Sequence, residues 1–219
     1  MLEEKLIELK KELVDFATLV ESMIMKSIKG LIKREKTQFM EVIETHEPEA
    51  NSYEIRLDEL CTHLIAQYQP VAKNLRTILM IYKMNSDLER MGDHAVNISE
   101  SGLYLISKRP VKPLIDIPRM ADETVKSVED AIMSFINEDA GLAQSVCEHD
   151  SVIDAFHNQI FRELVTFMTS EAATIERSLH LVRISSNLER IADLSTNICE
   201  DVIFMVEGRV IKHHIEDYE

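Results

Sequence analysis

The chain has 219 residues, a net charge of −15, no Trp, five Gly, five Pro and three Cys. That length holds one domain or two small ones with a proper core, and scarce aromatics beside plentiful Leu, Ile, Glu and Met lean towards helix. So acidic a balance excludes a nucleic-acid binder, which needs a basic footprint to displace counterions, and suits cationic partners: metal ions or a basic protein surface.

The N-terminus, MLEEKLIELKKELVDF, is charged and amphipathic and has no signal-peptide core. Its apolar residues, from Leu2 through Leu6, Leu9, Leu13 and Phe16 to Met23, recur at threes and fours, which predicts a core-facing helix to about Lys33. KREKT then breaks the pattern. A second helix is expected from Thr37, a candidate N-cap, to about Tyr68. Pro70 ends it and suits the first turn of a third helix, which runs to about Ser107. The segment KRPVKPLIDIPR (108–119) holds three of the five prolines and reads as a linker. A fourth helix follows from about Pro118 to Phe135, a fifth after NEDAG to about Met168, and a sixth after TSEAAT to about Glu207, closed by Gly208. Nothing alternates with period two for long enough to propose a strand.

No apolar run reaches the roughly 18 residues that cross a bilayer. Cys61, Cys147 and Cys199, odd in number and widely spaced, fit a reducing compartment better than a disulfide framework. The expectation is a cytoplasmic protein, at most peripheral to a membrane complex.

Shifting the sequence by 100 superimposes Leu88, Glu89, Arg90, Asp93, Asn97, Ile98 and Glu100 on Leu188, Glu189, Arg190, Asp193, Asn197, Ile198 and Glu200. The predicted fold is therefore all-α, two tandem, sequence-related three-helix bundles spanning 1–108 and 109–219. In each repeat the acidic set Glu89, Asp93, Asn97, Glu100 (or Glu189, Asp193, Asn197, Glu200) falls within an arc of roughly 80° of helix surface. Met84, Leu88, Met91, Ala95 and Ile98 take the opposite side. Carboxylates four apart repel by a few tenths of a kcal/mol, and a single row is most simply a solvated face. The preceding helices carry second rows, however: Glu47, Asn51, Glu54 and Asp58 in the first repeat, and Asp150, Asp154 and His157 in the second. Two rows on antiparallel neighbours make a set of hard oxygen donors suited to Mg²⁺, Mn²⁺, iron or Zn²⁺.

The motif LERxxDxxxNIxE in both repeats, QPVAKNLRTIL from Gln69 and the ending NICEDVIFMVEG resemble the PhoU family, over essentially the whole chain. The resemblance implies two three-helix bundles with an acidic E(D)xxxD motif on two helices of each, which hold iron or zinc clusters or single divalent cations. Carried over, the motifs are Glu89 with Asp93 and Glu189 with Asp193, partnered by Glu47 with Asn51 and by Asp150 with Asp154. Asn51 stands where the pattern has an acid and Pro48 follows Glu47, so the second repeat is the safer site. The resemblance further implies a repressor of the phosphate-starvation response that links a Pst-type phosphate transporter ATPase to a PhoR-type sensor kinase, often as a homodimer.

Other features read more plainly. Arg76, Arg90, Arg183 and Arg190 are expected to pair within their helices, with acids such as Asp87 and Glu189, more than to form a partner surface. KSIKGLIKREK (26–36) is either a solvated helix end or a surface for an acidic partner or lipid headgroups. His94 is offset by one from the row, and His213 and His214 are candidates for adventitious metal binding. Cys199, Met80, Met84 and Met91 fall on core faces. A ferritin-like di-iron enzyme needs Glu-x-x-His pairs facing a core, and this chain has none. No phosphate loop or nucleophile–base grouping is legible. The alternative to a metal-binding regulator is a helical adaptor that regulates another transporter or signalling complex and holds no metal.

Overall fold

A computed structural model describes residues 1–208; His213 and His214 lie outside the described residues. Its helices are α1 (Leu2–Lys33), α2 (Lys36–Glu41), α3 (Glu47–Tyr68), α4 (Ala72–Ile106), α5 (Asp116–Asn137), α6 (Ala140–Ser170) and α7 (Ile175–Glu207). A π-helical turn, Val42–His46, joins α2 to α3 without a break, so α2 and α3 act as one rod and the described residues form six long helical elements. Among the described residues there is no strand, and no helix is long and apolar enough to cross a membrane.

The π turn has a local cause. Pro48, in the first turn of α3, supplies no N–H and would press its ring on the carbonyl four residues back in a regular helix. Widening that turn relieves the clash. The second helix begins at Lys36 with Glu35 as its N-cap, not at Thr37. The linker is shorter than its prolines suggest, because Pro118 sits inside the first turn of α5, where a missing N–H costs nothing. Gly208 closes α7 with φ 73°, as expected of a left-handed C-cap. Arg34 and Glu138 cap α1 and α5 in the same conformation without being glycine. Both are held by their side chains. Arg34 donates to the carbonyls of Ile106 and Lys108, and Glu138 accepts from Lys10 at 3.0 Å and Lys73 at 2.7 Å.

The first bundle packs α1, the α2–α3 rod and α4; the second packs α5, α6 and α7. They join through contacts between counterpart helices, chiefly α4 on α7 and to a lesser extent α1 on α5. The core-facing stripe of α1 is buried as its spacing predicts, Leu9, Leu13, Phe16, Val20 and Met23 being wholly inaccessible. Met80, Met84, Met91 and Cys199 are buried as well, and all three cysteines are free.

Phe39 sets the packing at one end of the first bundle. Its ring is fully buried and lies over Gly30 of α1 and Gly102 of α4. A methyl group at Gly30 would meet the ring at 2.8 Å, and one at Gly102 would press into it more closely still. Gly102→Ala therefore overpacks this junction and is expected to cost about 1–3 kcal/mol, read as a lowered thermal midpoint. Adding Phe39→Leu should recover part of the loss. An unchanged midpoint in the single variant would refute this account of the two glycines.

Candidate functional site

The polar surface between the bundles follows the antiparallel run of α4 against α7. As positions rise along α4, their α7 partners fall. Lys83 pairs with Asp201 at 3.3 Å, His94 meets Asn187 at 2.8 Å, Asn97 accepts from Arg183 at 2.8 Å, and Tyr104 stacks on His180 with centroids 4.1 Å apart. Arg183 also lies 3.8 Å from Glu100. Lys83 and Arg183 occupy the same place in the two repeats, and each reaches across to the far part of the other repeat's last helix. Asn97 and Glu100, expected at a metal row, are thus engaged with the second bundle. That seam was missed in the sequence, although a cation at position 83 and again at 183 was its signal.

The remaining acids gather between neighbouring helices of each bundle. In the second, α6 brings Asp150, Asp154 and His157 beside Glu189 and Asp193 of α7. Burial pushes the Asp150 carboxyl up to about 6, with the negative charges of Asp154, Asp193 and Glu189 adding to it. Asp193 is raised from the ordinary range by burial too, while Arg190 opposes the shift and Asp154 adds to it. His157 lies 3.9 Å from Glu189 and its Nδ1 is 3.2 Å from the Ser185 hydroxyl. Arg190 pairs with Asp193 at 3.5 Å, not with Glu189 as expected, whereas Arg90 does reach Asp87 at 3.8 Å. Asn197 and Glu200 continue the α7 row half-buried, and Glu200 acts electrostatically on Cys147 of α6.

In the first repeat, burial raises Glu89, and Asp93 on its own helix and Glu54 across on α3 raise it further. Glu54 occupies the place that His157 takes in the second repeat, so an acid faces Glu89 where a histidine lies 3.9 Å from Glu189. Asp58 is withdrawn from the row: the buried Asn85 of α4 donates to its carboxylate at 2.9 Å and to the Glu54 carbonyl at 2.9 Å. Glu47 stands half-buried beside Pro48, and Asn51 is exposed. The acids are not fully outward-facing. Glu89, Asp150, Asp154, Glu189 and Asp193 sit half-buried along the helix pairs, where they sense one another.

The donor chemistry suits a hard cation, and four carboxylates of the second repeat lie within electrostatic reach of one another. Among the described residues, however, no three His, Cys, Asp or Glu side chains converge as a ready-made coordination set. The arrangement defines a class of protein: a tandem-repeat helical scaffold in which each repeat crowds carboxylates between two neighbouring helices.

Comparison with known proteins gives the class its family. The PhoU domain matches residues 13–102 and 117–202. A protein of Aquifex aeolicus described as a phosphate-specific transport system accessory protein PhoU homolog is 37% identical over 98% of this chain and 97% of its own length. The corresponding Pseudomonas putida homolog is 33% identical over 94% of this chain and 80% of its own. The crystal structure of PhoU from Pseudomonas aeruginosa superimposes with a TM-score of 0.92 at 30% identity, covering 95% of this chain and 100% of that one. That of the phosphate transport system regulatory protein PhoU from Streptococcus pneumoniae, at 24% identity and a TM-score of 0.89, shares the fold. The chain belongs to the PhoU family, with one PhoU domain in each repeat.

The crowding around Asp150 has a pH signature. With its folded value raised from 3.8 to about 6, the folded chain holds this proton where the unfolded chain has released it. Stability should fall as pH rises between those values and stay flat above them. Asp150 is half-exposed, so solvent screening leaves roughly 1 kcal/mol of the effect. Asp150→Asn is expected to raise the thermal midpoint at neutral pH and to flatten the profile between about pH 4 and 6. A variant no more stable than the parent at neutral pH would contradict this crowding.

Proposed function

We propose that this protein is a non-catalytic regulatory accessory of a phosphate transport system. In this reading its two repeats, 1–108 and 109–219, form a scaffold that acts in the cytoplasm as a homodimer. It meets the transporter ATPase and a sensor histidine kinase and keeps the starvation response off while phosphate is plentiful. The observation that carries the reading is family membership across both repeats, joined by likeness over nearly the full length to relatives described as phosphate-specific transport accessory proteins. The acidic balance supports protein and cation partners over nucleic acid.

The second repeat is the proposed cation site, with Asp150, Asp154, Glu189 and Asp193 as oxygen donors and His157, Asn197 and Glu200 beside them. A divalent or trivalent metal, iron or zinc or Mg²⁺ or Mn²⁺, would supply positive charge that offsets the repulsion raising Asp150. The first repeat is the weaker candidate. Glu47, Asn51, Glu54, Glu89 and Asp93 remain proposed donors there, while Asp58, Asn97 and Glu100 have competing partners. A second reading, an adaptor that holds no metal, draws support from the lack of three converging donors among the described residues.

Metal content after expression with iron and zinc separates the two. Glu189→Ala with Asp193→Ala should lower metal stoichiometry by at least half and leave helix content intact. A parent protein free of metal would favour the adaptor. For the regulatory role, deletion in the source organism is expected to raise alkaline phosphatase output in phosphate-rich medium. Unchanged phosphatase output and phosphate uptake would reject it.

A further inference from the structure

Charge is not spread evenly over this acidic chain. Where α1 and α4 end and the 107–115 linker crosses, the surface is cationic. Three hollows run together there. The largest, 590 Å³, lies against the linker, with Leu31, Leu105, Leu114 and Leu181 in its lining and Arg34 and Arg109 beside them. A hollow of 210 Å³ between α1 and α5 shares Ile32 with it and is lined by Lys29 and Lys33. A third, 490 Å³, shares Ile106 with the first and is lined by Lys36. Among the described residues, Asp122 is the one acid lining any of the three.

Some nearby cations are already engaged. Lys26 pairs with Glu41, and the buried Lys112 is held by Glu163 and, at 3.6 Å, by Asp116. Arg34 is directed onto two carbonyls but keeps its charge. Lys29, Lys33, Lys36 and Arg109 are exposed and make no ion pair among the described residues. Large apolar side chains stand between them. Met25 is 57% exposed and Ile32 50%, seven residues apart on one face of α1 with Lys29 between, and Ile115 of the linker is 55% exposed.

We propose that this end of the molecule docks on an anionic lipid bilayer, with Met25, Ile32 and Ile115 entering the headgroup layer and Lys29, Lys33, Lys36 and Arg109 meeting lipid phosphates. Exposed aliphatic side chains ringed by long, flexible cations are what an interfacial surface needs. The patch spreads over α1, the linker and the start of α2, and its charge is mostly lysine. Such point charges suit the diffuse field of a bilayer better than the fixed carboxylates of one partner, which favour planar arginine forks. The acids elsewhere on the chain do not forbid contact, because at physiological salt their repulsion is screened beyond about 8 Å. The inference goes beyond the regulatory role and stands without it.

The full-length chain should co-sediment with phosphatidylcholine vesicles containing about one third phosphatidylglycerol, and much less with pure phosphatidylcholine, at roughly 0.1 M salt. Lys29→Glu with Lys33→Glu and Lys36→Glu should weaken that binding by at least about 100-fold, since one lysine near such a surface is worth about a factor of five. Lys5→Glu with Lys11→Glu and Arg162→Glu carries the same net charge and should bind like the parent. Ile32→Ser should weaken binding and leave its salt dependence intact, with circular dichroism confirming that every variant is folded. Equal binding to both vesicle types, no binding to the anionic ones, or a patch variant indistinguishable from the control would overturn the proposal. Capture of the parent by polyglutamate without vesicle binding would also overturn it, in favour of an acidic protein partner.

Discussion

The antiparallel contact between α4 and α7 is the constraint on which the rest of the molecule depends. Each helix belongs to a different repeat, and each presents one face to its own bundle and another to its counterpart. A row of side chains on such a helix is therefore divided between two neighbourhoods. Arg183 draws Asn97 and Glu100 towards the second bundle, and Lys83 does the same to Asp201. Asp201 is almost wholly buried, while Lys83 stays half-exposed. What is left of the α4 row, Glu89 with Asp93, lies beside the rod of its own bundle, whereas the α7 row keeps Glu189, Asp193, Asn197 and Glu200 beside α6.

That division explains why the two repeats, alike in motif, differ electrostatically. In the second, α6 supplies two aspartates and a histidine against α7. In the first, the rod supplies Glu54 where the histidine would be, Asp58 is held by Asn85, and position 51 carries an amide in place of an acid. Pro48 adds a geometric difference: the π turn ends at His46, so the whole row in α3 is turned relative to α2 while its own spacing stays helical. Burial raises two carboxyls of the second repeat, Asp150 and Asp193, and one of the first, Glu89. A fold with no use for that crowding would gain stability by neutralising one acid. That unrelieved repulsion is what supports the proposed cation site.

Much of this was legible in the sequence. Apolar spacing located every long helix, because six amphipathic stripes packing against one another leave little room for tertiary override. The shift by 100 exposed the repeat and the acidic rows with it. The boundaries that slipped, at Thr37 and Pro118, involve residues tolerated at several places in a helix's first turn, and Pro70, expected in the first turn of the third helix, stands before the Val71 cap of α4. What could not be read was which face of α4 meets α7. Both are polar enough to be solvent-exposed in a lone bundle, and an acid paired across a seam looks the same in sequence as one facing water. Arg190 pairs within its helix as expected, but with Asp193, three residues on, because Glu189 is its immediate neighbour and neighbouring side chains on a helix diverge by about 100°.

The separation of charge has a partial explanation in helix ends. The C-terminus of α1 carries a negative partial charge that favours cations in its last turn, and Lys33 sits there. That account stops short of the rest. Lys36 belongs to the first turn of α2, where the dipole has the opposite sign and a lysine is mildly unfavourable. Arg109 lies in the linker, outside any helix. Met25 and Ile32 gain nothing from a dipole and lose something by facing water. Where local helix chemistry opposes a cation, and exposed aliphatic side chains sit beside it, the arrangement is better explained by what the surface meets than by the helices that carry it.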